Sequence, residues 1–138
     1  MAKTALITGG GGAIALALSE KLEACGYDLI LADLDRERMA GAAARLTRVA
    51  AQIPVDLSNA AGVAALCREI HDRRPVIDLL VNNAGLIVPG PITEISDEDM
   101  VRHIQVNLIA PMCLTRAAAR VRRRAGRARS CRSSRPRR

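Results

Sequence analysis

Thr8-Gly9-Gly10-Gly11-Gly12-Ala13-Ile14-Ala15, the stretch TGGGGAIA over residues 8–15, decides how the rest of this 138-residue chain is read. Ahead of it lies Lys3–Thr8 (KTALIT), an apolar run of the length of a buried strand. Behind it Ile14, Leu18, Leu22 and Cys25 recur at helical spacing, with Glu20, Lys21 and Glu23 between them, and Gly26 marks a stop. Glycines between a strand and a helix permit a tight turn. They also let backbone N–H groups approach a phosphate, which is drawn further by the positive end of the helix. Gly10, Gly12 and Ala15 satisfy G-x-G-x-x-A, and Asp33 stands eighteen residues past Ala15, after the next apolar run. A carboxylate there can accept hydrogen bonds from both ribose hydroxyls of an adenine dinucleotide and repels a 2′-phosphate. Four glycines making no more than a flexible turn is the competing reading.

Working outward, Tyr27–Ala32 (YDLILA) predicts a second strand, and Met39, Ala43 and Leu46 a second helix. Gln52–Asp56 predicts a third strand. Ser58 is a candidate N-cap for a helix carrying Val63, Leu66, Cys67 and Ile70, and Val76–Asn82 (VIDLLVN) predicts a fourth strand. Ser96 and Asp99 have capping-box spacing, with Asp97 and Glu98 suited to the positive end of the helix that follows. Strand and helix alternating at intervals near 25 residues imply βαβ units with right-handed crossovers. The expected class is α/β, a doubly wound parallel sheet cut short after the fourth strand and its following helix.

Composition excludes several alternatives. Hydrophobic residues make up 49% of the chain and are almost all aliphatic, Tyr27 being the sole aromatic. No apolar run reaches the roughly 20 residues of a membrane span, and the first residues lack the pattern of a signal peptide. Cys25, Cys67, Cys113 and Cys131 are scattered, with no CxxC pair, which favours free thiols in a cytoplasmic protein over a metal site. The net charge of +7 divides sharply. Residues 1–115 hold ten Lys and Arg against fourteen acids, a net of −4; residues 116–138 hold eleven Arg and no acid, a net of +11. The expected organisation is therefore a cofactor-binding domain over 1–118 and an Arg-rich, disordered tail over 119–138.

Asn82-Asn83-Ala84-Gly85 closes the fourth predicted strand, where a doubly wound sheet opens its ligand crevice. With the glycine loop, Asp33 and the Asp56-Leu57 pair, this NNAG makes the chain resemble the short-chain dehydrogenase/reductase family from about residue 3 to 118. The resemblance implies a Rossmann-type fold and hydride transfer between an alcohol and a carbonyl. It implies cofactor contacts from Gly9, Gly12 and Ile14 in the loop, Asp33 at the adenosine ribose, and Asp56 and Leu57 at adenine. Asn83, Ala84 and Gly85 would pass close to the cofactor. The loop departs from T-G-x-x-x-G-x-G at Ala13 and Ala15, and T-G-x-x-G-x-x-G fits better, with Ala15 in place of its last glycine. NAD is expected over NADP because no basic residue in the loop offsets Asp33; Arg36 is the counter-argument. Asn107 is the remaining match, a member of a proton relay in the family. Pro111 has no N–H, so the Asn107 carbonyl four residues earlier loses its helical partner and is free to hold a water.

The family's serine and its Y-x-x-x-K pair find no match. Tyr27 is the only tyrosine, followed four residues later by Leu31, and the only lysines are Lys3 and Lys21. Asn107 is thus an incomplete relay, and the chain is expected to bind a dinucleotide without turnover. Oligomerisation is expected to be impaired. Residues 116–138 are 11 Arg, 5 Ala and 3 Ser with one Gly, Pro, Cys and Val, a composition consistent with a frameshifted GC-rich gene. Two rivals remain: a non-catalytic dinucleotide-binding protein, and a nucleic-acid binder acting through the tail. The tail lacks aromatics for base stacking, so only non-specific polyanion contact is expected of it. His71 and His103 are expected at the surface, Met100 and Met112 in packing, and Ser19 and Ser58 as caps or surface residues. Asp97-Glu98-Asp99 is read as capping, and no metal site is expected.

Overall fold

Lys3–Thr8 forms strand β1 with the limits its apolar run predicts. The structure, a computed structural model, describes residues 2–72 and 76–133. Strand β1 lies inside a four-stranded parallel sheet with β2 (Tyr27–Asp33), β3 (Val49–Pro54) and β4 (Leu79–Val81), in the order β3-β2-β1-β4. The chain steps outward from β1 through β2 to β3, then returns to place β4 on the other side of β1. The strand order therefore reverses between β1 and β4, and a crevice opens there beyond the strands' C-terminal ends.

Alternation along the central strands builds two cores. Ala5, Ile7, Leu29 and Leu31 point to one face and pack with Ala15 and Met39, from helices α1 (Ala13–Ala24) and α2 (Arg36–Ala43). Leu6, Ile30 and Ala32 point to the other. They meet Val63, Leu66 and Ile70 of helix α3 (Ala60–Asp72) and Ala110 and Leu114 of helix α5 (Ala110–Ser133). Helix α4 (Asp97–Ile104) runs into α5 through a π-helical turn at Gln105–Ile109. Among the described residues no helix is long and apolar enough to cross a membrane.

Several local expectations are corrected. In α1 the buried positions are Ala15 and Ser19, whereas Ile14 is 76% exposed and Cys25 is exposed. Small side chains let α1 lie close to the sheet beside the loop, and the larger Ile14 is left at the rim. Ser19, expected as a cap or surface residue, is instead fully buried within the helix. Strand β3 starts at Val49 and ends at Pro54, displaced from the expected run 52–56; it pairs with β2 from Leu29 to Asp33, with a register irregularity at Leu29/Ile30. Strand β4 is three residues long rather than seven. Just before it the Asp78 carboxylate accepts the Thr4 N–H at 3.0 Å, taking a donor that a ladder carbonyl would otherwise receive. Asn59, not Ser58, caps α3: its Oδ1 accepts the Gly62 N–H at 2.9 Å.

The predicted capping box forms, with Ser96 Oγ accepting the Asp99 N–H at 3.1 Å and donating to Asp99 Oδ2 at 2.9 Å. Met100 and Met112 are exposed, not packed. The largest difference concerns the Arg-rich segment. Disorder was expected from residue 119, yet α5 continues to Ser133. Alanine and arginine are strong helix formers. The first part of this extension also docks: Val121 is buried and Arg122 Nη1 donates to the Asp78 carbonyl at 2.6 Å. Residues 134–138, the end of the expected tail, lie outside the described residues.

Candidate functional site

Thr8 ends β1 and is almost completely buried, and its hydroxyl joins the two strands at the reversal point. Thr8 Oγ1 donates to the Val81 carbonyl at 3.3 Å and accepts the N–H groups of Asn83 at 3.0 Å and Ala84 at 3.1 Å. Asn83 answers through its side chain, whose Nδ2 donates to the Thr8 carbonyl at 3.0 Å and the Gly9 carbonyl at 3.3 Å. Gly9 turns the chain at φ +66°, a left-handed conformation that disfavours any side chain. A Cβ there would also approach Ala84 Cα to 3.0 Å. The Asn-Ala-Gly segment and the glycine loop are thus held against each other by a threonine and an asparagine.

The loop delivers the chain to α1 with an open N-terminus. Gly12 is its N-cap, offers no side-chain cap, and the first turn carries no acid. The first N–H groups of a helix have no intrahelical acceptor, and this end carries positive partial charge, so an anion is favoured there. Asp33 stands beside the loop at the end of β2. One carboxylate oxygen accepts the Gly11 N–H at 2.7 Å and the other accepts the Asp35 N–H at 3.0 Å. Two bonds leave about half of the acceptor positions of a carboxylate unused. Beyond β3, Asp56 Oδ1 accepts the Ser58 N–H at 2.8 Å and Oδ2 accepts Asn59 Nδ2 at 2.9 Å. Hydrogen bonds from Ser58, side chain first and then backbone, hold the Asp56 carboxyl below its usual value. Burial opposes this, while Asn59 and the positive charge of Arg102 add to it.

These elements surround one cleft of about 550 Å³. All nine residues expected to contact a cofactor line it: Gly9, Gly12, Ile14, Asp33, Asp56, Leu57, Asn83, Ala84 and Gly85. Asn107 is outside the lining. Its Oδ1 accepts the Leu86 N–H at 2.9 Å and its Nδ2 donates to the Leu86 carbonyl at 2.8 Å, so the amide engages the backbone just after Gly85. Gln105–Ile109 is π-helical, and the Ala110 N–H donates to the Gln105 carbonyl. The helix widens where Pro111 withholds its N–H from Asn107.

The cleft also holds residues that pattern reading missed. Leu34, Arg38, Ser58 and Arg102 line it. Arg36, the residue weighed against an NAD preference, does not; Arg38, two positions on, takes that side of the cleft. No spacing rule distinguishes the two, because which one reaches the cleft depends on where α2 begins. Tyr27 and Lys3 are neighbours, with Lys3 Nζ 5.8 Å from the ring centroid. They lie at the opposite end of the sheet's central strands, roughly 16 Å along β1 from Thr8.

Comparison with known proteins agrees with this geometry. The family model for short chain dehydrogenases matches residues 3–129. The galactitol 2-dehydrogenase of Agrobacterium fabrum is 33% identical over 119 residues, covering 86% of this chain and 46% of the relative. Among solved structures, the bulky-bulky ketone specific alcohol dehydrogenase from Comamonas testosteroni superposes with a TM-score of 0.78 at 30% identity. That match covers 85% of this chain and 48% of the other. A short-chain dehydrogenase from Sphingobium yanoikuyae in complex with NADPH gives a TM-score of 0.78 at 32% identity, over 85% and 47%. The chain spans about half the length of the curated relatives it matches. On the model match and the fold together, this chain belongs to the short chain dehydrogenase family.

Proposed function

We propose that this chain carries the dinucleotide-binding half of an oxidoreductase that exchanges hydride between an alcohol and a carbonyl. The single observation that carries the reading is the gathering of nine motif residues around one cleft, at the reversal of strand order, below the uncapped N-terminus of α1. The pyrophosphate would lie at Gly12, Ala13 and Ile14, where first-turn N–H groups have no intrahelical acceptor. Asp33 would accept the adenosine ribose hydroxyls. Asp56 and Leu57 would border adenine, and the Asn83-Ala84-Gly85 segment would bound the nicotinamide side. When bound, the dinucleotide supplies the hydride or takes it up. Asn107 would keep Gly85 and Leu86 in place through its paired bonds to Leu86 and offer its freed carbonyl to a water.

NAD is the cofactor we favour, because the Gly11 N–H holds the Asp33 carboxylate in the cleft at the end of β2, where it would meet the ribose hydroxyls and repel a 2′-phosphate. NADP is the second reading, favoured by Arg38 in the cleft and by the NADPH in the Sphingobium yanoikuyae neighbour. Polyol and ketone specificities named for the relatives suggest a secondary alcohol and its ketone as the substrate class. Fluorescence titration of the purified chain tests the assignment. NADH is expected to saturate with higher affinity than NADPH, and Asp33→Ser is expected to narrow or reverse the difference. Absence of saturable binding of either cofactor overturns the proposal.

A further inference from the structure

Helix α4 reaches the cleft through one side chain, Arg102. Its start is set by the capping box at Ser96, and the same box orients the arginine: Arg102 Nη1 bonds Asp99 Oδ1 at 3.3 Å, one turn back on the helix. Asp99 is itself steadied by the Ser96 hydroxyl on its other oxygen. An exposed pair of this kind contributes little on its own, so stability does not explain why this side chain lines the cleft. Arg102 is near enough to Asp56 for its charge to be felt by that carboxylate.

Another part of the cleft lining is unusual in a complementary way. Leu34, immediately after Asp33, is 67% exposed and lines the cleft with no cover. An exposed leucine and a planar cation share this cleft with the Asp56 carboxylate and Ser58, a set of groups whose chemistry suits a flat, uncharged ring with polar edges. A positively charged ring is disfavoured beside the guanidinium, while a neutral purine presents a π-face to it.

We propose that Arg102 is a further nucleotide-binding residue, its guanidinium plane covering the face of adenine opposite Leu34, with Asp99 as the residue that positions it. This rests on the dinucleotide reading above. Arg102 then acts by stacking, and Asp99 acts only through Arg102.

Isothermal titration of the full chain with ADP-ribose tests both. Arg102→Leu is expected to weaken ADP-ribose binding about three- to thirty-fold, the range of a cation–π contact in a partly desolvated site. Arg102→Lys keeps the charge but not the plane, and is expected to lose most of the same factor. Leu34→Gln, an exposed position, is expected to weaken binding in the same direction without lowering the melting temperature. Asp99→Asn is expected to weaken it less than Arg102→Leu, and to have no effect in the Arg102→Leu background. Wild-type affinity in Arg102→Leu overturns the inference, as does full retention in Arg102→Lys, which would assign Arg102 to a phosphate instead. If the wild-type chain binds no ADP-ribose, the dinucleotide reading itself is what fails.

Discussion

At the scale of single residues, two glycines on different helices make opposite demands. Gly62 lies in α3 where a Cβ would run into the Asp56 carbonyl, so its missing side chain lets the end of β3 approach the helix. Gly41 lies in α2 with nothing within 4 Å of a Cβ. Gly62→Ala is expected to destabilise by about 1–3 kcal/mol through overpacking and to disturb Asp56. Gly41→Ala is expected to stabilise by about 0.5–1 kcal/mol through helix propensity. Urea midpoints of the two variants check the contrast. Asp56 also makes a pH prediction. Its folded-state carboxyl lies below the usual value, so the stabilisation from its ionised form is complete above the unfolded pKa, about 4, and is lost as pH falls through the lower folded value. The stability gap between wild type and Asp56→Asn is expected to be widest at neutral pH and to close below about pH 4. A gap independent of pH from 3 to 7 contradicts that cause.

At the scale of elements, the contact between β1 and the segment after β4 matters most for the site. The sheet ladder alone does not fix the Asn83–Gly85 backbone, because β4 ends at Val81. The Thr8 hydroxyl does so by accepting two of its N–H groups. Thr8→Val keeps the shape but leaves those donors without an acceptor, and a loss of about 2 kcal/mol or more is expected. Dinucleotide affinity is expected to fall with it, since the Asn83-Ala84 backbone would lose its tie to the hydroxyl at the end of β1. Thermal melting with a parallel NADH titration reads both effects. Thr8→Ser, which retains the hydroxyl, should restore binding.

At the scale of the whole molecule, charge and site occupy separate regions. The cleft is bounded by carboxylates at Asp33 and Asp56 and by two arginines, while the arginine-rich run of α5 begins at Arg116, beyond the Asn107 turn. The chain's one tyrosine, and Lys3 beside it, sit at the opposite end of the sheet from the cleft, and Lys21 is in the last turn of α1. If the proposed reading holds and the proton relay needs a tyrosine and a lysine, Tyr27, Lys3 and Lys21 stand in the wrong place to serve it, and the prediction is that these 138 residues bind NADH without oxidising it. Measurable oxidation with any ketone substrate would show that another group moves the proton.

What could be read without coordinates was whatever depends on neighbours in the chain. The limits of β1, the Ser96–Asp99 capping box and the strand-helix alternation follow from local periodicity and hydrogen-bonding chemistry, and all three are present. The nine cleft residues were legible because loop chemistry at strand ends is itself local. Tertiary structure alone decided which side chains enter the cleft from elsewhere. Arg102 arrives from a helix some seventy residues beyond Asp33, and Arg38 rather than Arg36 lines the cleft in a helix whose start Asp35 caps. It also decided that Ser19 is buried and Ile14 bare, since α1 approaches the sheet through its smallest residues. The Arg-rich segment is helical as far as Ser133, with Val121 and Arg122 docking against the rest of the fold. Composition reports the solubility of such a segment, whereas a buried valine and an available Asp78 carbonyl decide whether its first turns have a surface to fold against.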